Sequence, residues 1–115
     1  MIFAELERRG GGSFAVRAAG HAGYGSRGGD IVCAAVTILL RTAAETLETS
    51  EGIMVTPLEV AEGLLAFTAE CAGGADARTA ERLTTAGDFL AAGLGSLARE
   101  FPGCVKFTER GEAGF

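Results

Sequence analysis

With 115 residues, 48% of them apolar and 22% charged, the chain is long enough for one domain with a sizeable core and too apolar for a disordered tail. Its 15 acids against 10 Lys and Arg leave a net charge of −5, which argues against direct nucleic-acid binding, a mode that needs clustered cations, and suits a basic polypeptide partner. The longest apolar stretch, Ile31 to Leu40, is far short of the roughly 20 residues that cross a bilayer, and the acidic N-terminus lacks a secretory pattern, so a cytoplasmic protein with no membrane partner is expected.

Residues 1–9 and 13–19 alternate as strands, with Ile2, Ala4 and Leu6 sharing one face with Phe14, Val16 and Ala18, and Gly10-Gly11-Gly12-Ser13 supplying the turn of a hairpin. The glycine-rich stretch 20–29 breaks both regular patterns and reads as a mobile loop. From Asp30 to about Thr49 the run of Ala, Leu, Ile and Val behind a capping acid predicts a first helix, apolar nearly all round at its start and so expected to be covered on more than one side. Residues 53–58 and 63–71 predict strands three and four. Pro57 marks the former as an edge or strand end, and Leu65, Phe67, Ala69 and Cys71 share a face of the latter. Over 75–101, Leu83, Gly87, Leu90, Leu94, Leu97 and Phe101 recur every three or four residues, the stripe of a second helix; Gly87, Gly93 and Gly95 imply close packing or a bend there. Pro102-Gly103 stops it, and 104–110 makes a last strand. The order ββαββαβ, two helices with a largely antiparallel sheet, is that of a two-layer α+β domain over residues 1–115.

Three widely spaced cysteines, 33, 71 and 104, with no CxxC pair give no disulfide framework and no zinc site, and no cofactor is expected. Chemistry gathers instead at Cys33. With Asp30 as N-cap its thiol would lie in the first helical turn, where free N–H groups and the helix dipole favour an anion. Such positions, and a neighbouring imidazolium, lower thiol pKa values in general from about 8.5 to roughly 3.5–7.5. His21, the chain's 1 histidine, precedes Cys33 across the glycine-rich loop. In this reading His21 is acid/base to a Cys33 nucleophile, first-turn N–H groups including that of Cys33 hold the oxyanion, and Asp30 either caps the helix or orients His21. Cys71 and Cys104, in or beside strands, read as packing residues. The match of Gly23-Tyr24-Gly25-Ser26-Arg27-Gly28 to a dinucleotide fingerprint is set aside, because the strand before it belongs to a hairpin and not to a βαβ unit.

Gly20-His21-Ala22, a six-residue spacer, then Gly29-Asp30-Ile31-Val32-Cys33-Ala34-Ala35-Val36 and Thr37 resemble the signature of the ribosomal-processing cysteine protease Prp family. The resemblance implies a small α+β fold, typically homodimeric. It implies catalytic Cys33 and His21, with Asp30 and Thr37 at the family's acid and hydroxyl positions. The activity implied is removal of the N-terminal extension of large-subunit ribosomal protein twenty-seven by cleavage after an aromatic residue. The loop residues Gly20, Gly23, Tyr24, Gly25, Ser26, Arg27, Gly28 and Gly29 would then form a gate that orders over substrate. A non-enzymatic ribosome-assembly module that binds a basic ribosomal protein is the alternative reading, and a thiol redox sensor at Cys33 a third.

Overall fold

A computed structural model describes residues 1–20, 27–57, 63–73 and 76–111, and for 27–30 the backbone alone. The elements are β1 (Ile2–Arg8), a 3-10 turn at Gly10–Gly12, β2 (Phe14–Gly20), α1 (Arg27–Glu48), β3 (Ile53–Pro57), β4 (Leu64–Cys71), α2 (Ala77–Glu100) and β5 (Val105–Gly111). The ββαββαβ order stands. The five strands form one sheet in the order β3-β4-β2-β1-β5. Every pair is antiparallel except β1 with β5, which run parallel. β3 lies at an edge, where Pro57 removes no ladder donor the sheet needs.

Period-two alternation fixes which face is buried. Ile2, Ala4 and Leu6 pair with Gly20, Ala18 and Val16 across the hairpin, and this apolar face continues through Phe67 and Ala69 of β4 and Val105 of β5. Both helices cover it. α1 contributes Val32, Val36, Leu40, Ala43 and Leu47, spaced by three or four, and α2 contributes Leu83, Leu90 and Leu94. Phe14 meets Phe67 edge to face in the centre, with ring centroids 5.9 Å apart.

The hairpin turn needs its glycines. Gly12 has φ +84°, and a Cβ there would collide with the Ala80 carbonyl oxygen of α2, so the turn closes against the helix only with no side chain. The expected close packing of α2 is present as well: a Cβ on Gly87 would stand 3.0 Å from the Arg8 guanidinium, and one on Gly93 3.0 Å from Leu39 of α1.

One expectation needs correcting. α1 begins at Arg27, not at Asp30, so Arg27, Gly28 and Gly29 are helical backbone and not part of a loop, and Gly20 is the last residue of β2. Glycine disfavours helix by about 1 kcal/mol per residue, but once the buried stripe from Val32 onward has nucleated the helix, extending it backward by a turn requires no new nucleus. α1 is covered on more than one side, as its apolar start implies. It packs on the sheet and alongside α2, while Ile31 is 67% and Ile38 61% exposed, with Ala34 also exposed between them.

Candidate active site

The site forms where β2 ends. Gly20 has φ +106°, and a Cβ there would strike the Met1 carbonyl oxygen; its own N–H donates to the Gly63 carbonyl at 2.8 Å, which draws the start of β4 against the end of β2. α1 crosses above this corner. Between them lies a cavity of about 330 Å³ with Ile2, Ala18 and Val36 as apolar floor and wall, Gly20, Gly63, Leu64 and Leu65 along the strand ends, and Cys33, Thr37 and Arg41 descending from the helix. Positions 33, 37 and 41 are successive steps of four along one helix face, so α1 brings Cys33 and Thr37 to the cleft and sets the exposed Arg41 at its rim.

Cys33 is half-buried. The Thr37 hydroxyl donates to the Cys33 carbonyl oxygen at 2.8 Å, so its proton is engaged with the backbone behind the thiol. With the helix starting at Arg27, Cys33 is its seventh residue and not its third. Its N–H therefore falls beyond the four free donors of a helix start and is engaged inside the helix, which removes it from the expected oxyanion donors. Asp30 likewise lies inside the first turn, so the capping role expected of it does not hold.

Of the other sequence-predicted site residues, His21, Gly23, Tyr24, Gly25 and Ser26 lie outside the described residues; Gly20, the residue before His21, lines the cavity. Cys71 closes β4 and Cys104 precedes β5; both are half-buried thiols against the core, and neither lines the cavity. A larger concavity of about 770 Å³ opens between α1 and α2, bordered by Thr46, Leu47, Arg82 and Phe89, with no thiol on its walls. Among the described residues no group of acids, cysteines and histidine is placed to hold a metal, and no helix is long and apolar enough to cross a membrane.

Sequence reasoning missed Gly63, Leu64, Leu65 and Arg41. The first three reach the site through the pairing of β2 with β4, which a single sequence does not reveal. Arg41 carried a signal: it is the first charge after the apolar run and lies eight residues past Cys33.

A family model described as Cysteine protease Prp matches residues 1–106. Among solved structures, SMU.848 from Streptococcus mutans is 27% identical with a TM-score of 0.73, over 97% of this chain and 96% of that one. An essential ribosomal processing protease Prp from Staphylococcus aureus, in complex with a substrate peptide, is 16% identical with a TM-score of 0.72, over 95% and 99%. The same S. aureus protease with a covalently linked product peptide is 19% identical with a TM-score of 0.67, again over 95% and 99%. Among curated protein sequences, none matches the chain significantly.

Proposed function

The chain belongs to the cysteine protease Prp family and is a peptide hydrolase, and from that premise we propose that it removes the N-terminal extension of large-subunit ribosomal protein twenty-seven with Cys33 as nucleophile and His21 as acid/base. One observation carries the assignment of the site: the half-buried Cys33 thiol opens on an apolar cleft whose far wall ends at Gly20, the residue before the chain's 1 histidine. The S. aureus protease of similar fold, crystallised with a substrate peptide and with a covalently linked product peptide, supports the same reading.

The chemistry follows from those groups. Cys33 passes its thiol proton to His21, the resulting thiolate attacks the carbonyl carbon of the scissile bond, and the carbonyl π pair moves to the oxygen. Collapse of the tetrahedral intermediate expels the amine, which takes a proton from the His21 imidazolium, and leaves a thioester. Neutral His21 then draws a proton from water, whose oxygen attacks the thioester, and the thiolate departs. Ile2, Val36, Leu64 and Leu65 offer apolar surface to an aromatic side chain at the cut. Asp30, on the first turn, has the role of orienting His21, and Gly23, Tyr24, Gly25 and Ser26 that of a substrate-ordered gate. The protein acts in the cytoplasm as a homodimer, paired through the exposed Ile31, Ala34 and Ile38 of α1.

Incubation with the ribosomal protein from the same genome, read by intact mass, tests the proposal. Wild-type protein should shorten the partner at its N-terminus, and Cys33→Ala and His21→Ala should each lower kcat by about 1,000-fold or more. A stable complex with an uncut partner would replace the peptidase with a binding module.

A further inference from the structure

Both helices pack on one face of the sheet, and on the opposite face the row nearest the cleft is apolar. Register sets Phe3 of β1 opposite Ala19 of β2, and Ala19 opposite Leu64 of β4, so the three side chains share that face. Lys106 of β5, opposite Phe3, bounds the row on its other side. The next rows turn polar: Thr108, Glu5 and Arg17 stand beside Ala66, then Arg110, Glu7 and Thr68 beside Ala15. Phe3 is 55% exposed, between the buried Ile2 and Ala4. Neighbouring positions of the same strand face take Glu, so a water-facing position here does not call for an aromatic side chain. Leu64 also lines the cleft that holds Cys33, so row and cleft share a residue. Among the described residues, the lip between them is Gly20 and Gly63, at φ +106° and +76°, neither of which carries a side chain. An exposed apolar row that runs on from a catalytic cleft extends the path open to a substrate.

We propose that Phe3, with Ala19 and Leu64, forms a shelf that binds an apolar side chain of the substrate's N-terminal extension, about three to five residues before the scissile bond. This inference rests on the peptidase reading of Cys33. The occupant follows from continuity and from charge. A peptide whose aromatic residue lies against Leu64 and Leu65 leaves the cleft over the glycine lip and meets the shelf next. The row holds no acid and ends at Lys106, so the basic body beyond the cut is disfavoured there, and the segment before the cut is the one that fits. The distance comes from sheet geometry. Leu64 and Phe3 lie two strands apart, about 10 Å at roughly 4.8 Å per strand, which an extended peptide covers in about three residues at roughly 3.4 Å each. Rounding the strand ends takes about one or two more.

The test uses the full-length chain and a peptide series built on the N-terminal extension, with Leu or Ser placed singly three, four or five residues before the cut. Wild type, Phe3→Leu and Phe3→Ser are compared by kcat and KM at low and high salt. Peptide binding without turnover is measured on Cys33→Ala, with and without Phe3→Ser. The expected result is a roughly tenfold preference of the wild type for Leu over Ser at one position, the scale of burying one aliphatic side chain in part. It should reside in KM, persist at high salt, survive in Phe3→Leu and vanish in Phe3→Ser. A preference undiminished in Phe3→Ser, none at any position in turnover or binding, or an equal loss on every peptide together with lowered thermal stability overturns the proposal. So does altered sedimentation of Phe3→Ser with the peptide ranking intact, which would assign the shelf to a second copy. Peptides that bind with the Phe3-dependent ranking and are not cut by the wild type would remove the peptidase reading and leave the shelf standing.

Discussion

Asp76 shows how much a single side chain does at a helix start. It caps α2, accepting from the Thr79 N–H at 2.8 Å and from the Thr79 hydroxyl at 3.2 Å. The Thr79 backbone hydrogen bond is the largest influence holding its carboxyl below the ordinary 3.8, outweighing the opposing effect of burial. A depressed folded-state pKa means that this stabilisation is complete above the unfolded value and is lost as pH falls through the folded one. Asp76→Ala should therefore lower Tm at neutral pH, with the gap to wild type closing below pH 3.8; a gap that persists undiminished in acid would contradict the cap. Asp30 makes the opposite point. An acid ahead of an apolar run reads as a cap, yet the helix runs back through Arg27, Gly28 and Gly29, which by composition belong to a loop. Cys33 was legible because its signature residues are contiguous. Gly63, Leu64 and Leu65 were not, because only the pairing of β2 with β4 brings them to the cleft.

At the scale of elements, periodicity revealed nearly everything that depends on neighbours in the chain. The buried stripe of α2 and the alternation of β1 and β2 follow the sequence reading, whereas the sequence left open which residues of α1 form its buried stripe of Val32, Val36, Leu40, Ala43 and Leu47. Leu40 is fully buried at the centre of that stripe, and Leu40→Ala should cost about 2–5 kcal/mol in a urea titration. Long-range order was not legible. The parallel pairing of β1 with β5 joins the two ends of the chain, and the same ends are tied by Arg8, which reaches Asp88 of α2 at 2.8 Å and Glu109 of β5 at 2.9 Å. Burial alone would lower the pKa of the Arg8 guanidinium, but its bonds to Glu109 and Asp88 outweigh that and raise it. Both acids are substantially exposed, so solvent screens the pairs. Arg8→Met should accordingly cost only about 1–2 kcal/mol by the same titration, and a loss as large as that of Leu40→Ala would mean the triad matters more than its exposure allows.

For the whole molecule, the apolar strip of Ile31, Ala34 and Ile38 lies on the outer side of the helix that carries Cys33, so the proposed homodimer contact and the cleft are supported by one element. Ile38→Glu should weaken self-association about tenfold or more in sedimentation while leaving thermal stability within about 1 kcal/mol, since the side chain is 61% exposed. The central claim, that Cys33 is the nucleophile, is tested most directly by acid-quenching the enzyme during turnover of the extension peptide and mapping the covalent adduct by mass spectrometry. The account predicts a thioester of the N-terminal fragment on Cys33, present in Cys71→Ala and Cys104→Ala and absent in Cys33→Ala. An adduct on either of the other two thiols, or full turnover in Cys33→Ala, would contradict it.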